Sequence, residues 1–261
     1  MSKKMRLLVS ISILLSLNLL LELGSPVKCA DTNLRKSGKV DCSSRCYVPS
    51  HDDIVFGETQ LKQLLKDRPI MQSFINQQDK LWHSVVYKFA GIETGHRVRW
   101  NNESIDKPSQ YTGDHNFSAG ADDDCYIRLS KLDANGNSIS GEELWSTLFF
   151  EFENLKNSDS FFNLYKQACA GKLTKEQWIT RNTKLEYSAL RRTYTFYEKD
   201  WIPLMKKKNI STNPVLWNSP IEPTYEAWIK TYDTTSSGNY NYWSMYFDTE
   251  IIPYLKKKSS R

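Results

Sequence analysis

The sequence has 261 residues, of which 35 are basic and 30 acidic, giving a formal net charge of +5. A chain of this size can bury the core of one ordinary domain, and charges so nearly balanced exclude a strong electrostatic preference for nucleic acid. The lysines at 206–208 and 256–258 are therefore interpreted as solvated helix ends rather than as a patch for a polyanion.

Residues 1–29 have the pattern of a secretory signal peptide. Basic side chains precede the apolar run LLVSISILLSLNLLL, and Val27 with Cys29 fits the small-residue rule for cleavage before Ala30. Removal of this segment would take away four basic side chains and one acidic, leaving 31 basic and 29 acidic and a net charge of +2. The apolar run is short for a membrane span. We therefore expect a secreted or periplasmic protein with no stable membrane span after cleavage.

The cysteines remaining after cleavage predict disulfide bonds, because they are even in number in an exported chain. They are Cys42, Cys46, Cys125 and Cys169. A local Cys42–Cys46 loop with a Cys125–Cys169 bond is the simplest of three possible pairings, and the sequence does not choose among them. A zinc site formed by the first two cysteines and His51 is the alternative, although a second ligand pair is missing.

The domain organisation follows from a change in periodicity. Residues 30–58 are polar and weakly periodic, and we expect an N-terminal arm held by Cys42 and Cys46. A single globular domain is predicted over 59–261. It opens with a short helix capped by Thr59 and a second helix that starts at Pro69 and stops at Gly91.

A small sheet is predicted next, with strands at 96–100 and 125–132. Together with the helical pattern elsewhere, it predicts a mainly helical α+β fold, with the sheet on one side of a helical core. The long segment between the strands is predicted to be a loop and contains acidic side chains and a histidine, namely Asp114, His115, Asp122, Asp123 and Asp124. Such ligands suit calcium or another divalent ion, whereas acidic runs in loops are more often solvated.

Two capping boxes mark the starts of the next long helices. Ser140 with Glu143 begins one, and Thr174 with Gln177 begins the other. In the first of these helices, Thr147, Glu151 and Asn154 form a narrow polar stripe between apolar walls.

Glu151 is the most informative residue, because a buried carboxylate must be paired, protonated or bound to a ligand. The alternative is that the stripe marks the edge of the buried face, with Glu151 reaching solvent or an arginine. The downstream helix repeats the pattern, with Glu186 in the middle of a wide apolar face and Asn182 in line with it. If the helices pack together, the two glutamates could share a proton, pair with Arg191 or Arg181, or hold a cation.

The order strand, turn, glutamate helix and second glutamate helix resembles the gluzincin type of zincin metallopeptidase over about residues 125–200. In that family the first helix carries HExxH, whose histidines bind zinc while the glutamate activates water. The matching residues here, 150–154, read FEFEN, so the glutamate is present and both histidines are absent. Glu186 corresponds in place to the third zinc ligand. The resemblance implies a pseudo-peptidase scaffold that retains a cleft without zinc hydrolysis.

The C-terminal third of the chain is rich in proline and aromatic residues, which predicts short helices wrapped around the main body, since prolines such as Pro203 break long helices. Four aromatic residues could stack on sugars or could be buried, namely Tyr240, Tyr242, Trp243 and Tyr246. Glycosylation sequons occur at Asn102, Asn116 and Asn209, and they fit exposed loops if the source glycosylates its exported proteins.

These patterns together predict an exported, noncatalytic, pseudo-peptidase-like scaffold that binds a ligand or protein partner between the two glutamate helices. The binding residues are predicted to be Thr147, Asn154, Asn182 and Arg191. The alternatives are a metal-independent hydrolase with Glu151 and Glu186 as catalytic acid and base, or a carbohydrate-binding module. An open cleft with carboxylates ~5 to 10 Å apart favours the hydrolase, and a sealed interior favours the noncatalytic protein. No cofactor, metal or nucleic acid is expected.

Overall fold

The computed structural model describes residues 47–101, 113–116, 125–133, 135–232 and 238–259. The predicted signal peptide, the Cys42 and Cys46 predictions, the Asn102 sequon and the acidic run at 122–124 lie outside these residues. Within the described ranges, no helix is both long enough and apolar enough to cross a membrane.

The described part is mainly helical with one small sheet, which confirms the predicted α+β fold. The α-helices are α1 His51–Asp67, α2 Lys80–Phe89, α3 Gly141–Leu155, α4 Ser158–Cys169, α5 Lys175–Phe196, α6 Ile202–Lys207, α7 Tyr225–Tyr232, α8 Gly238–Tyr246 and α9 Ile252–Ser259. The strands are β1 Val98–Trp100, β2 Gly113–Asn116 and β3 Cys125–Leu129. Short 3₁₀-helices lie at Pro69–Phe74 and Pro214–Trp217, and π-helical turns lie at Tyr197–Trp201 and Phe247–Ile251.

The sheet is mixed and has the strand order β1-β3-β2. β1 runs parallel to β3, and β2 runs antiparallel to it, so that Asp114 lies opposite Arg128 and His115 lies opposite Ile127. The predicted strands at 96–100 and 125–132 are confirmed as the shorter β1 and β3. β2 lies in the segment predicted to be a loop, and it is the strand that carries a residue of the candidate site.

Two apolar clusters form the core. The larger one packs α1, α2, the sheet and α3 against the start of α6, with Trp145, Trp201 and Trp217 among its buried members. The smaller one packs α4 and the first half of α5 against α8 and α9. The second half of α5 contacts the larger cluster through Phe196, so α5 connects the two clusters.

The first two predicted helices differ from those observed. α1 is capped by Ser50, whose hydroxyl accepts from the Asp53 amide while the Asp53 carboxylate accepts from the Ser50 amide. The predicted start at Thr59 is therefore wrong. The helix predicted from Pro69 onwards is divided, because a 3₁₀ turn and an irregular stretch precede α2; its predicted stop at Gly91 is confirmed, with φ of 93° at that glycine.

Both π-helical turns are followed by an Ile-Pro pair. In each, the isoleucine amide bonds to the carbonyl of the residue five positions earlier, and Pro203 or Pro253 comes next. In an α-helix a proline ring would clash with the carbonyl four residues earlier, and the wider π turn displaces that carbonyl. The prediction that Pro203 breaks the helix is therefore wrong, although the short helices predicted for the C-terminal third are observed.

The described cysteines are both buried and occupy different clusters. Cys125 packs in the larger cluster and Cys169 in the smaller one, and the two are not bonded to each other. The particular Cys125–Cys169 pairing is therefore not found, and disulfide formation elsewhere stays a prediction.

Candidate functional site

The two predicted glutamate helices, α3 and α5, pack against each other. Glu151 is only 5% exposed, and its negative charge acts on the carboxyl of Glu186. Asn154 lies one turn beyond Glu151 on α3, and Asn182 lies one turn before Glu186 on α5, so each helix contributes a carboxylate and an amide. We call these four residues the polar interface.

His115 of β2 forms a hydrogen bond through Nδ1 to the Oε2 atom of Glu151. Alternate residues of a strand face the same side, so Gly113 and His115 both face α3 while Asp114 faces away and bonds to Arg128. A Cβ atom at Gly113 would lie 2.6 Å from Cγ2 of Thr147. The glycine thus allows β2 to approach α3 closely enough for His115 to reach the buried carboxylate.

Glu186 has a different environment. Its Oε1 atom accepts a hydrogen bond of 3.0 Å from the indole Nε1 of Trp243 on α8. Burial raises the pKa of Glu186 to about 8, and the nearby charge of Glu151 raises it further, while the indole hydrogen bond acts in the opposite direction. Glu186 is therefore protonated at neutral pH in the protein alone.

Three buried oxygens of the polar interface have no hydrogen-bond partner within the part of the chain that the structure describes. They are Asn154 Oδ1, Asn182 Oδ1 and Glu186 Oε2. Asn154 is 2% exposed and Asn182 is fully buried, although Asn182 Nδ2 donates to the carbonyl of Trp178 at 2.8 Å. A buried acceptor without a partner costs about 1–3 kcal/mol. The two amide oxygens therefore favour a group that brings donors, and Glu186 Oε2 does so as well once its carboxyl has lost its proton.

Two other predicted residues do not join this set. Arg191 is exposed and donates to the carbonyl of Pro223 at 3.2 Å, so its pairing with a site glutamate, one of the alternatives open from the sequence, is not observed. Arg181 is also exposed and bonds to Gln167. Thr147 is half-buried at the edge of the interface, where its methyl group adjoins Gly113.

A buried ionic network that the sequence did not predict lies on the neighbouring face of α3. Glu153 is 4% exposed and accepts from Arg192 Nε at 2.8 Å and from Lys156 at 2.7 Å. Lys88 of α2 lies 3.5 Å from Glu153 and also pairs with Glu93. The network joins α2, α3 and α5 and holds the two glutamate helices in register.

The described residues contain no group of three or more His, Cys, Asp or Glu side chains placed to hold a metal ion. Of the aspartates for which calcium binding was considered, Asp114 accepts a hydrogen bond of 2.7 Å from Arg128 Nε. The other three, at 122–124, lie outside the described ranges.

The aromatic residues of α8 pack inward. Trp243 is buried and stacks on Phe161 with ring centroids 5.5 Å apart, and the three tyrosines of the run pack against the same cluster. The Trp243 indole, which the sequence offered as a possible surface for sugar stacking, instead donates a hydrogen bond to Glu186. Nothing in the sequence pattern distinguished these two roles, because both require an indole on a mainly apolar face.

Comparison of the chain with protein-family models, with curated proteins and with solved structures finds no match. The zincin resemblance therefore stays a prediction from sequence.

Proposed function

We propose that this chain is an exported, noncatalytic binding protein whose small ligand occupies the polar interface of α3 and α5. The observation that carries the proposal is the set of three buried oxygens on Asn154, Asn182 and Glu186 that no described residue satisfies. A ligand that donates to the two amide oxygens removes a cost of about 1–3 kcal/mol for each of them, which favours its binding.

The enclosure of the two carboxylates supports binding rather than hydrolysis. Glu151 is engaged by His115, and Glu186 is engaged by the Trp243 indole. A glycoside hydrolase needs room between its carboxylates for a substrate and an attacking water. The proposed pseudo-peptidase scaffold rests on the sequence alone: the glutamates of α3 and α5 follow the order of the gluzincin pattern, and neither histidine of that pattern is present. Export is part of the proposal and rests on residues 1–29.

Asn154→Leu is the sharpest test of the proposed site. Leucine is nearly isosteric with asparagine and removes a buried amide that makes no hydrogen bond to a described residue. The variant should therefore unfold at the same or a higher temperature than the wild type and should lose ligand binding. Differential scanning fluorimetry of both proteins against small polyols, sugars and amines measures this. Asn163→Leu, at an exposed position of α4, is the matched control and should retain binding.

The proposal fails if no compound raises the melting temperature of the wild type, or if Asn154→Leu responds as the wild type does.

A second candidate, a metal-independent hydrolase, is favoured by one observation. A carboxyl with a pKa of about 8 beside a second carboxylate is the arrangement that an acid and base pair requires. In that case Glu151→Gln and Glu186→Gln would fold normally and abolish an activity found in a screen of glycosidic and peptide substrates.

A further inference from the structure

The unpartnered atoms of the polar interface are all oxygens, on Asn154, Asn182 and Glu186. Three donors that border the interface are already used: His115 Nδ1 toward Glu151, Trp243 Nε1 toward Glu186, and Asn182 Nδ2 toward the Trp178 carbonyl. A ligand that satisfies the remaining oxygens must therefore be rich in hydrogen-bond donors.

The charges at the interface favour a positive ligand. Glu151 and Glu186 contribute two carboxyl groups from facing helices, and the arginines expected beside them, Arg181 and Arg191, bond elsewhere. Among the described residues, Glu151 on α3 is the charged group that acts on Glu186, and His115 on β2 lies behind Glu151. An anion would be repelled, whereas a cation would compensate the charge that burial makes costly.

We propose that the ligand is a small organic cation with a primary ammonium group, or the ammonium ion itself. An ammonium group carries three donors and no acceptor, so it can donate to the unpartnered amide oxygens of the polar interface and to Glu186 Oε2 once that carboxyl has released its proton. This inference rests on the proposed function, and it adds the chemical class of the ligand. We do not propose a metal ion held by carboxylates, thiolates or imidazoles. The described residues contain no group of three or more His, Cys, Asp or Glu side chains placed to hold one.

Burial of the interface limits the size of the ligand. Asn154 and Asn182 are nearly inaccessible, and the two surface depressions of about 410 and 370 Å³ are lined by other residues, around Lys206 and around Tyr87. The ligand is therefore expected to be of the size of ammonium or methylammonium rather than a long polyamine.

The test uses the full chain and follows the melting temperature with ammonium chloride, methylammonium chloride, potassium chloride, sodium chloride and glycerol. We expect the two ammonium salts to raise it above the level reached with sodium chloride at equal ionic strength. Titration calorimetry should then show that the dissociation constant for ammonium falls about tenfold for each pH unit between pH ~6 and ~8. The reason is that the cation stabilises the ionised form of Glu186, which must release its proton when the cation binds.

Glu186→Gln should weaken ammonium binding at least tenfold and remove its pH dependence, Asn154→Leu should abolish it, and Asn163→Leu should bind as the wild type does. An equal response to potassium would overturn the inference in favour of a monovalent metal ion. Binding of glycerol or another neutral donor without a response to ammonium would also overturn it, while leaving the proposed function in place. If no compound binds, both proposals fail.

Discussion

Glu142 shows what a purely structural buried carboxylate looks like in this protein. It accepts from the indoles of Trp201 and Trp217 and from the amide of Asn213, at 3.0 to 3.2 Å. Glu186 is less completely buried as a residue, and its carboxyl has one donor and one oxygen without a partner. The difference in the number of donors, rather than burial alone, separates the structural carboxylate from the one that can bind a ligand.

Glu186→Gln should also change how stability depends on pH. The pKa of Glu186 is raised from 4.5 to about 8 in the folded chain, so across this interval the folded chain keeps a proton that the unfolded chain has lost. The free energy of unfolding should therefore fall as pH rises, by about 1.4 kcal/mol per pH unit. Glutamine stays neutral, so the variant should match the wild type near pH ~5 and exceed it near pH ~8. Urea denaturation over a pH series measures both curves.

The control for this prediction is Glu176→Gln, at an exposed position near the start of α5. It should leave the pH dependence of the wild type unchanged. Parallel curves for the wild type and Glu186→Gln would show that Glu186 is ionised in the folded protein, contrary to the prediction.

Sequence reasoning found the four residues of the polar interface but not the residues that hold its two carboxylates. Glu151 and Glu186 could be predicted because a carboxylate on an apolar helical face is anomalous whatever surrounds it. Their partners, His115 and Trp243, could not, since each lies far away in sequence and reaches its glutamate through tertiary packing. The sequence also left open a pairing of Arg191 with a site glutamate, whereas the arginine that binds a glutamate of α3 is its neighbour Arg192. Arg191 faces outward, and Arg192 turns toward α3 and binds Glu153.

At the scale of elements, helix ends were the least predictable feature. Ser50 and Asp53 form a capping box with aspartate in place of the glutamate or glutamine that defines the usual pattern. Two side chains fix the irregular stretch before α2. The Asp79 carboxylate accepts a hydrogen bond from the backbone amide of Asn76, and the Asn76 side chain accepts one from the backbone amide of Gln78. Such local side-chain bonds compete with helix formation and interrupt an apolar periodicity that otherwise continues. The Thr174 capping box, which has the usual pattern, was predicted and is confirmed.

Gly57→Ala tests the close packing of α1 on α2. A Cβ atom at this position would lie 2.2 Å from the carbonyl oxygen of Val86, which is backbone and cannot rotate away. Alanine has the higher helix propensity, by about 1 kcal/mol. Steric overlap should outweigh that gain and lower the free energy of unfolding by about 2–4 kcal/mol, measured by urea denaturation. Thr59→Ala, at an exposed position of the same helix, should have little effect, and a stabilised Gly57→Ala would contradict the packing.

For the whole molecule, the fold class was predictable because helical periodicity dominates the chain. The strands β1 and β3 were recognisable because buried and more exposed side chains alternate along them. The pairing of β2 with β3 was not predictable, since GDHN has no strand-like alternation of apolar side chains and is placed by Gly113 and by the Asp114–Arg128 pair. The division of the core into two clusters depends likewise on contacts between elements that are distant in sequence.

Native-state hydrogen exchange should reveal the two clusters as regions of unequal stability. Within the described residues, the cluster that holds α8 and α9 contains fewer buried apolar side chains than the cluster around α3. Local opening requires less free energy where less apolar surface is buried. Amides of α8 and α9 should therefore exchange before those of α3, as followed by mass spectrometry of peptic fragments. Equal protection of all three helices would show instead that the clusters unfold as one unit.

The π-helical turns at Tyr197–Trp201 and Phe247–Ile251 occur in matching sequence contexts in two segments of the chain. A π turn is equivalent to one inserted residue in an α-helix, and here both insertions precede an Ile-Pro pair, with the prolines fifty residues apart and three lysines shortly after each. The first and last residues of the two turns are buried in both places. Each of these two helical segments therefore accommodates an internal proline by the same widening of one turn, while the buried residues of the turn pack in a different one of the two clusters.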